Sequence, residues 1–145
     1  MTVDDFWTLI EQVDRGSLQS GEVHDEAAIE PLIDALSAVD KPELQSFQEH
    51  LAQTLYGLDG RRYMDASGVS SSGDSFLYAR CFVVAMGRDV YERTLSDPDL
   101  MPKTVDHWCE PLLYAATGAW EKRTGEQLDF DTVVSFETGS NTSLW

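Results

Sequence analysis

Three histidines, two cysteines and ten lysine or arginine side chains are the groups from which chemistry could be built in this chain, and their spacing decides what each can do. His24, His50 and His107 form no H-x-x-x-H or H-E-x-x-H pair, and neither Cys81 nor Cys109 has a C-x-x-C partner, so the spacing of a zinc site is missing. Ser70-Ser71-Ser72-Gly73 has loop composition and lacks the strand and the G-x-S-x-G frame of a nucleophile elbow. No glycine-rich fingerprint follows a strand, which leaves P-loop and dinucleotide folds unsupported. Acidic pairs such as Asp4-Asp5 could act as general acid and base, but among 26 Asp and Glu adjacency carries no information. Helix caps and solvated faces account for them first. No catalytic residue, metal ligand or cofactor is assigned on these grounds.

The scarce arginines are more informative. Arg80 lies in residues 75–95, where Phe76, Leu77, Cys81, Phe82, Val83, Val84 and Met86 leave almost no polar face, the mark of a buried helix. A guanidinium buried there without a partner is costly, so Arg80 is expected to reach solvent or to pair with Asp74 or Asp89. The sharper alternative is an anion site. Asp74 and Arg80 flank the start of this central helix, and Arg88 and Tyr91 follow the break at Gly87. Arg61 and Arg62 join them if the serine-rich loop folds back, and Tyr63 and Trp7 supply an aromatic wall. Two structural explanations compete with that site: Asp74 as a cap on the helix amides, and Trp7 and Tyr63 as core residues.

The elements that must position these groups read as helices throughout. Thr2 to Asp5 supplies N-cap oxygens for a helix bearing Phe6, Trp7, Ile10 and Val13, stopping near Arg15-Gly16. A polar turn over 17–22 precedes a second helix with Ile29, Leu32, Ile33 and Leu36, capped by His24 or Asp25 and interrupted or kinked at Pro31. Asp40-Lys41-Pro42-Glu43 opens the clearest amphipathic helix, with Leu44, Phe47, Leu51, Leu55 and Leu58 on its apolar face and the lone His50 on its polar one. After a loop over 65–74, Ser72 or Asp74 caps the central helix, and Gly87 separates it from a shorter one ending at Asp97-Pro98-Asp99. The last strong helix starts near Glu110-Pro111 and stops at Gly125. Residues 128–136 suit a short helix begun at Asp129, and 137–145 read as a polar, frayed tail in which Trp145 could dock. Residues 1–136 then form one domain, an all-α, compact, irregular bundle of about six helices, with 76–86 central and the 43–58 and 110–123 helices packed on it.

Charge bounds the partners. A formal net charge of −16 repels phosphate backbones and anionic membrane surfaces, and gives a basic protein a fast approach. No apolar run approaches the roughly 18 residues of a membrane helix. Thr2-Val3-Asp4-Asp5 after the initiator methionine resembles no secretory leader, which points to the cytoplasm and to reduced thiols.

Several motifs together resemble a bacterial family catalogued as domain of unknown function 4240. They are Phe6-Trp7; the long helix over 43–58 with Phe47 and His50; Asp74, Phe76, Tyr78 and Arg80; Gly87-Arg88-Asp89-Val90-Tyr91-Glu92; Asp97-Pro98-Asp99-Leu100; and Leu112-Leu113-Tyr114 through Thr124-Gly125. Family members often carry paired acids before the central helix, where Gly73-Asp74-Ser75 has one. The resemblance implies an all-helical cytosolic domain and carries over no catalytic role. With the charge, the sequence points to a non-catalytic binding or regulatory protein whose acidic surface engages a basic protein partner, as an immunity protein or antitoxin would. The alternative is a small-molecule or anion-binding domain, or an enzyme of unknown reaction class. Oligomeric state is not encoded in any motif here.

Overall fold

Local signals set most helix boundaries in the computed structural model, which describes residues 1–20, 24–68, 72–104 and 107–145. Helix α1 (Val3–Ile10) begins with a capping box: the Asp5 amide donates to Thr2 Oγ1 at 3.1 Å, and the Thr2 amide donates to the Asp5 carboxylate at 2.8 Å. These bonds from Thr2 hold the Asp5 carboxyl below its ordinary pKa. The helix ends well before Arg15-Gly16 because Asp14 caps a separate helix, α2 (Arg15–Gln19), accepting the Ser17 amide at 3.2 Å. Helix α3 (Asp25–Leu36) starts at His24 without a side-chain cap and carries Pro31 within it, on the exposed side. Helix α4 (Lys41–Gly57) opens on Asp40, which accepts the Glu43 amide at 3.0 Å, with Pro42 in the first turn.

Gly60 then starts a helix absent from the sequence reading, α5 (Arg61–Ser67). Ser72, not Asp74, caps the central helix α6 (Gly73–Ala85), accepting the Ser75 amide at 3.4 Å. Gly87 leads into α7 (Arg88–Ser96), and a 3₁₀ turn (Glu110–Tyr114) feeds α8 (Ala115–Thr124), which Gly125 closes at φ 72°. The described residues thus hold eight α-helices and no strand, in one all-α domain; α2 and α5 have no counterpart among the helices expected from the sequence. The expectations for residues 21 and 22 of the polar turn and for 69–71 of the serine-rich loop fall outside the described residues. No described helix is long and apolar enough to cross a membrane.

Helix α6 is apolar all round because it is wedged between two clusters. Leu77, Cys81 and Val84 join the main core with Phe6, Ile10, Ile29, Leu32, Phe47 and Leu51, whereas Phe76, Ala79 and Val83 face a smaller cluster with Leu58 and Met101. Helix α4 and the Glu110–Tyr114 turn pack on α6, while α8 itself lies against α3 and α4. The chain after α8 departs from expectation twice. Residues 128–136 form no helix. The tail is docked rather than frayed: the Gly139 and Asn141 amides and Trp145 Nε1 all donate to the buried Asp59 carboxylate, at 3.0, 2.9 and 3.0 Å.

Cys81 and Cys109 are free and buried, and loss of solvent pushes the Cys81 thiol up to about 12. Neither thiolate is therefore available at mildly alkaline pH. An aromatic disulfide reagent is expected to label neither cysteine in the native protein and both in concentrated urea. Rapid native labelling would show that α6 is not packed as described.

Candidate functional site

Arg80 is buried within the fold, and its expected ion pair with Asp74 or Asp89 is not formed. The side chain is 0% exposed; Nη1 donates to Leu55 O at 2.9 Å, and Nη2 donates to Phe136 O at 3.0 Å and Thr138 Oγ1 at 3.2 Å. Its guanidinium also stacks 4.8 Å from the Phe76 ring centroid. Six residues along a helix rotate the direction by about 240°, so Asp74 points to solvent while Arg80 points inward. Burial lowers the Arg80 pKa, and the nearby Asp59 opposes that shift. Arg80 and Asp59 together fasten the 136–145 segment to the bundle.

The concavity that does gather polar groups lies between α1 and the start of α7. It is a cleft of about 570 Å³ walled by Asp4, Trp7, Thr8 and Glu11, by Arg15 of α2, and by Met86, Gly87, Arg88, Asp89, Val90 and Arg93. Gly87 makes the close approach work. Its φ of 103° and ψ of 174° belong to glycine alone, and a Cβ there would stand 2.9 Å from Arg15 Cζ. The Arg15 guanidinium consequently rests against the Gly87 backbone. Its Nε is buried without an acceptor, and the Arg15 side chain makes no hydrogen bond or ion pair among the described residues. No side chain caps α7, so the helix presents its first amides and positive dipole end beside Arg15.

Arg88 stands on the same wall. Nη1 donates to Asp4 at 2.7 Å and Nε to Glu92 at 2.8 Å; hydrogen bonding to Glu92, then to Asp4, raises its pKa. Arg93 Nε donates to the Asp89 carbonyl at 3.3 Å. Tyr91 lies behind the cleft, its ring centroid 5.3 Å from that of Trp7, and its hydroxyl donates to Thr54 O at 2.9 Å. A Cβ on Gly57 would come within 2.6 Å of that hydroxyl, so the glycine ending α4 gives Tyr91 its passage. Burial raises the Tyr91 phenol above its usual pKa, which suits a structural role for this hydroxyl.

Of the eight residues singled out in the sequence, Trp7, Arg88 and Tyr91 come together here. Asp74 is exposed on the first turn of α6, and Tyr63 donates to Leu95 O at 2.7 Å outside the cleft. Arg61 stacks over Trp145 at 5.5 Å, and Arg62 borders a separate hollow with Asp65 and Asp99. Among the described residues no three His, Cys, Asp or Glu side chains cluster as a metal site. The sequence reading missed Thr8, Glu11, Arg15 and Arg93. Asp4, Thr8 and Glu11, at spacings of four and three, mark one polar stripe of α1, and Asp89 and Arg93 mark another of α7. Arg15 carried no such signal, because the turn after Ile10 redirects the chain. No curated protein and no solved structure matches the sequence. The model of the family described as protein of unknown function (DUF4240) matches residues 1–122, a stretch containing both walls of the cleft, and the chain therefore belongs to that family.

Proposed function

We propose that the protein is a non-catalytic binding or regulatory domain whose α1/α7 cleft receives a small anion with an apolar body. The observation that carries this reading is Arg15: a guanidinium with no acceptor among the described residues, held by Gly87 at the uncapped start of α7. A carboxylate or phosphate placed there meets Arg15, the α7 amides and Arg88, while Trp7, Met86 and Val90 offer apolar surface to the rest of the ligand. Asp4 is the competitor for Arg88. Their pair is exposed and screened by solvent, so an incoming anion displaces it at little cost.

The test uses phenyl phosphate, benzoate and neutral benzamide in thermal-shift and calorimetric titrations. One of the two anions is expected to stabilise the wild type, and benzamide is not. Arg15→Gln should weaken binding by about tenfold or more, the worth of a charge-assisted hydrogen bond, and Asp4→Asn should strengthen it. Equal binding to wild type and Arg15→Gln removes the cleft from consideration. A second reading, engagement of a basic protein partner, is favoured by the excess of 26 Asp and Glu over ten Lys and Arg.

A further inference from the structure

On another face of the bundle, α3 and the segment leading into α8 enclose a groove of about 470 Å³. Glu26, Ile29, Glu30 and Ile33 form one stripe of α3, at helical spacings of three, one and three. Opposite stand Glu110, Pro111, Tyr114 and Gly118. Tyr114 is 57% exposed, a large apolar ring left at the groove edge. Three carboxylates line the groove and no Lys or Arg does. Lys122, whose charge Glu30 feels, is already held by Asp34 at 2.9 Å. Gly118 adds an independent observation. It sits inside α8, where glycine is less favourable than alanine, and a Cβ there would meet only Ile33 Cδ1, at 3.9 Å. Its φ is not positive, and a Cβ would have room at this position. Its absent side chain leaves the groove floor open to another chain.

We infer that this groove docks an amphipathic segment of a protein partner bearing Lys or Arg, with apolar side chains against Ile33, Pro111 and Tyr114 and cations over Glu26, Glu30 and Glu110. The inference rests on the reading of a basic protein partner and is independent of the anion cleft. Charge decides the occupant. A second copy would bring a net charge of −16 and its own acidic rim to the same place, whereas a basic segment gains both long-range attraction and local pairing.

The probe is a fluorescein-labelled amphipathic peptide of lysine and leucine, with a lysine-glycine peptide of equal charge as control, titrated at low and moderate salt. The amphipathic peptide is expected to bind more tightly than the control and to shift the amide signals of Ile33, Tyr114 and Gly118. Glu26→Lys combined with Glu30→Lys should weaken it by about tenfold or more, and Gly118→Leu, which fills the groove without altering charge, should do the same. Circular dichroism checks that each variant keeps its helices. Affinity unchanged in Gly118→Leu, or shifts dispersed over the surface, overturns the groove. Equal binding of both peptides with dispersed shifts leaves general attraction to a basic partner standing without this site. Failure of both peptides to bind at low salt sinks the partner reading itself. Self-association of the wild type that Gly118→Leu abolishes, read by sedimentation velocity, would make a second copy the occupant and overturn the assignment.

Discussion

Arg80→Ala is expected to lower the unfolding free energy by about 4 kcal/mol or more, enough to leave a marginally stable domain largely unfolded. Two losses add. The side chain is the largest of those fully buried, so alanine leaves a cavity, and Phe136 O and Thr138 Oγ1 lose the guanidinium that held them. Leu55 O suffers less, since the Leu58 amide still donates to it at 3.2 Å. Arg80→Met separates the terms: it restores most of the volume, removes a desolvated charge and sacrifices the hydrogen bonds and the stacking on Phe76, for an expected loss of about 2 kcal/mol. Urea midpoints of the two variants measure both contributions. A wild-type midpoint for Arg80→Met would show that these bonds do not hold the C-terminal segment.

Asp59→Ala has the next largest expected effect, about 3 kcal/mol, and a different signature. Three donors lose their acceptor at once, and two of them are main-chain amides of the last seven residues. An unsatisfied buried donor costs roughly 1–3 kcal/mol, but the tail can escape most of that by leaving the bundle and hydrating. The outcome is therefore local detachment before global unfolding. Hydrogen exchange should show Gly139 and Asn141 unprotected while the amides of α3 and α4 stay protected. Asp59→Asn, which keeps one acceptor oxygen, should fall between. Combining Arg80→Met with Asp59→Ala should cost less than the sum, because both act through one docked segment. Full protection of Gly139 in Asp59→Ala would contradict this arrangement.

The difference between what the residues announce and what they conceal follows from the kind of atom involved. Capping at Thr2 and Asp40 and the apolar run of α6 are carried by side chains, so their helices are legible in the sequence. The partners of Arg80 are mostly main-chain carbonyls, which every residue has and no sequence advertises. Asp59 is equally silent, one acid among 26, and a polar tail looks unattached until its acceptor is known. Phe130, Val133 and Val134 have helical spacing, yet the chain runs there without a helix toward its anchors at Asp59, just past α4, and at Arg80 on α6. In the cleft, the break at Gly87 points to Arg88 and Tyr91, whereas Arg15 depends on how α1 ends.

The fastening of residues 136–145 also separates two boundaries that are often assumed to coincide. Similarity to the family runs over 1–122, which includes Asp59 and Arg80. Apart from Leu55 O, which accepts from Arg80 Nη1, the atoms that satisfy those two groups lie at Phe136, Thr138, Gly139, Asn141 and Trp145. A fragment cut where recognisable similarity stops would keep nearly every helix and bury a carboxylate and a guanidinium stripped of most of their partners. The family match ends at residue 122, while the hydrogen bonds that close around Asp59 and Arg80 reach on to Trp145.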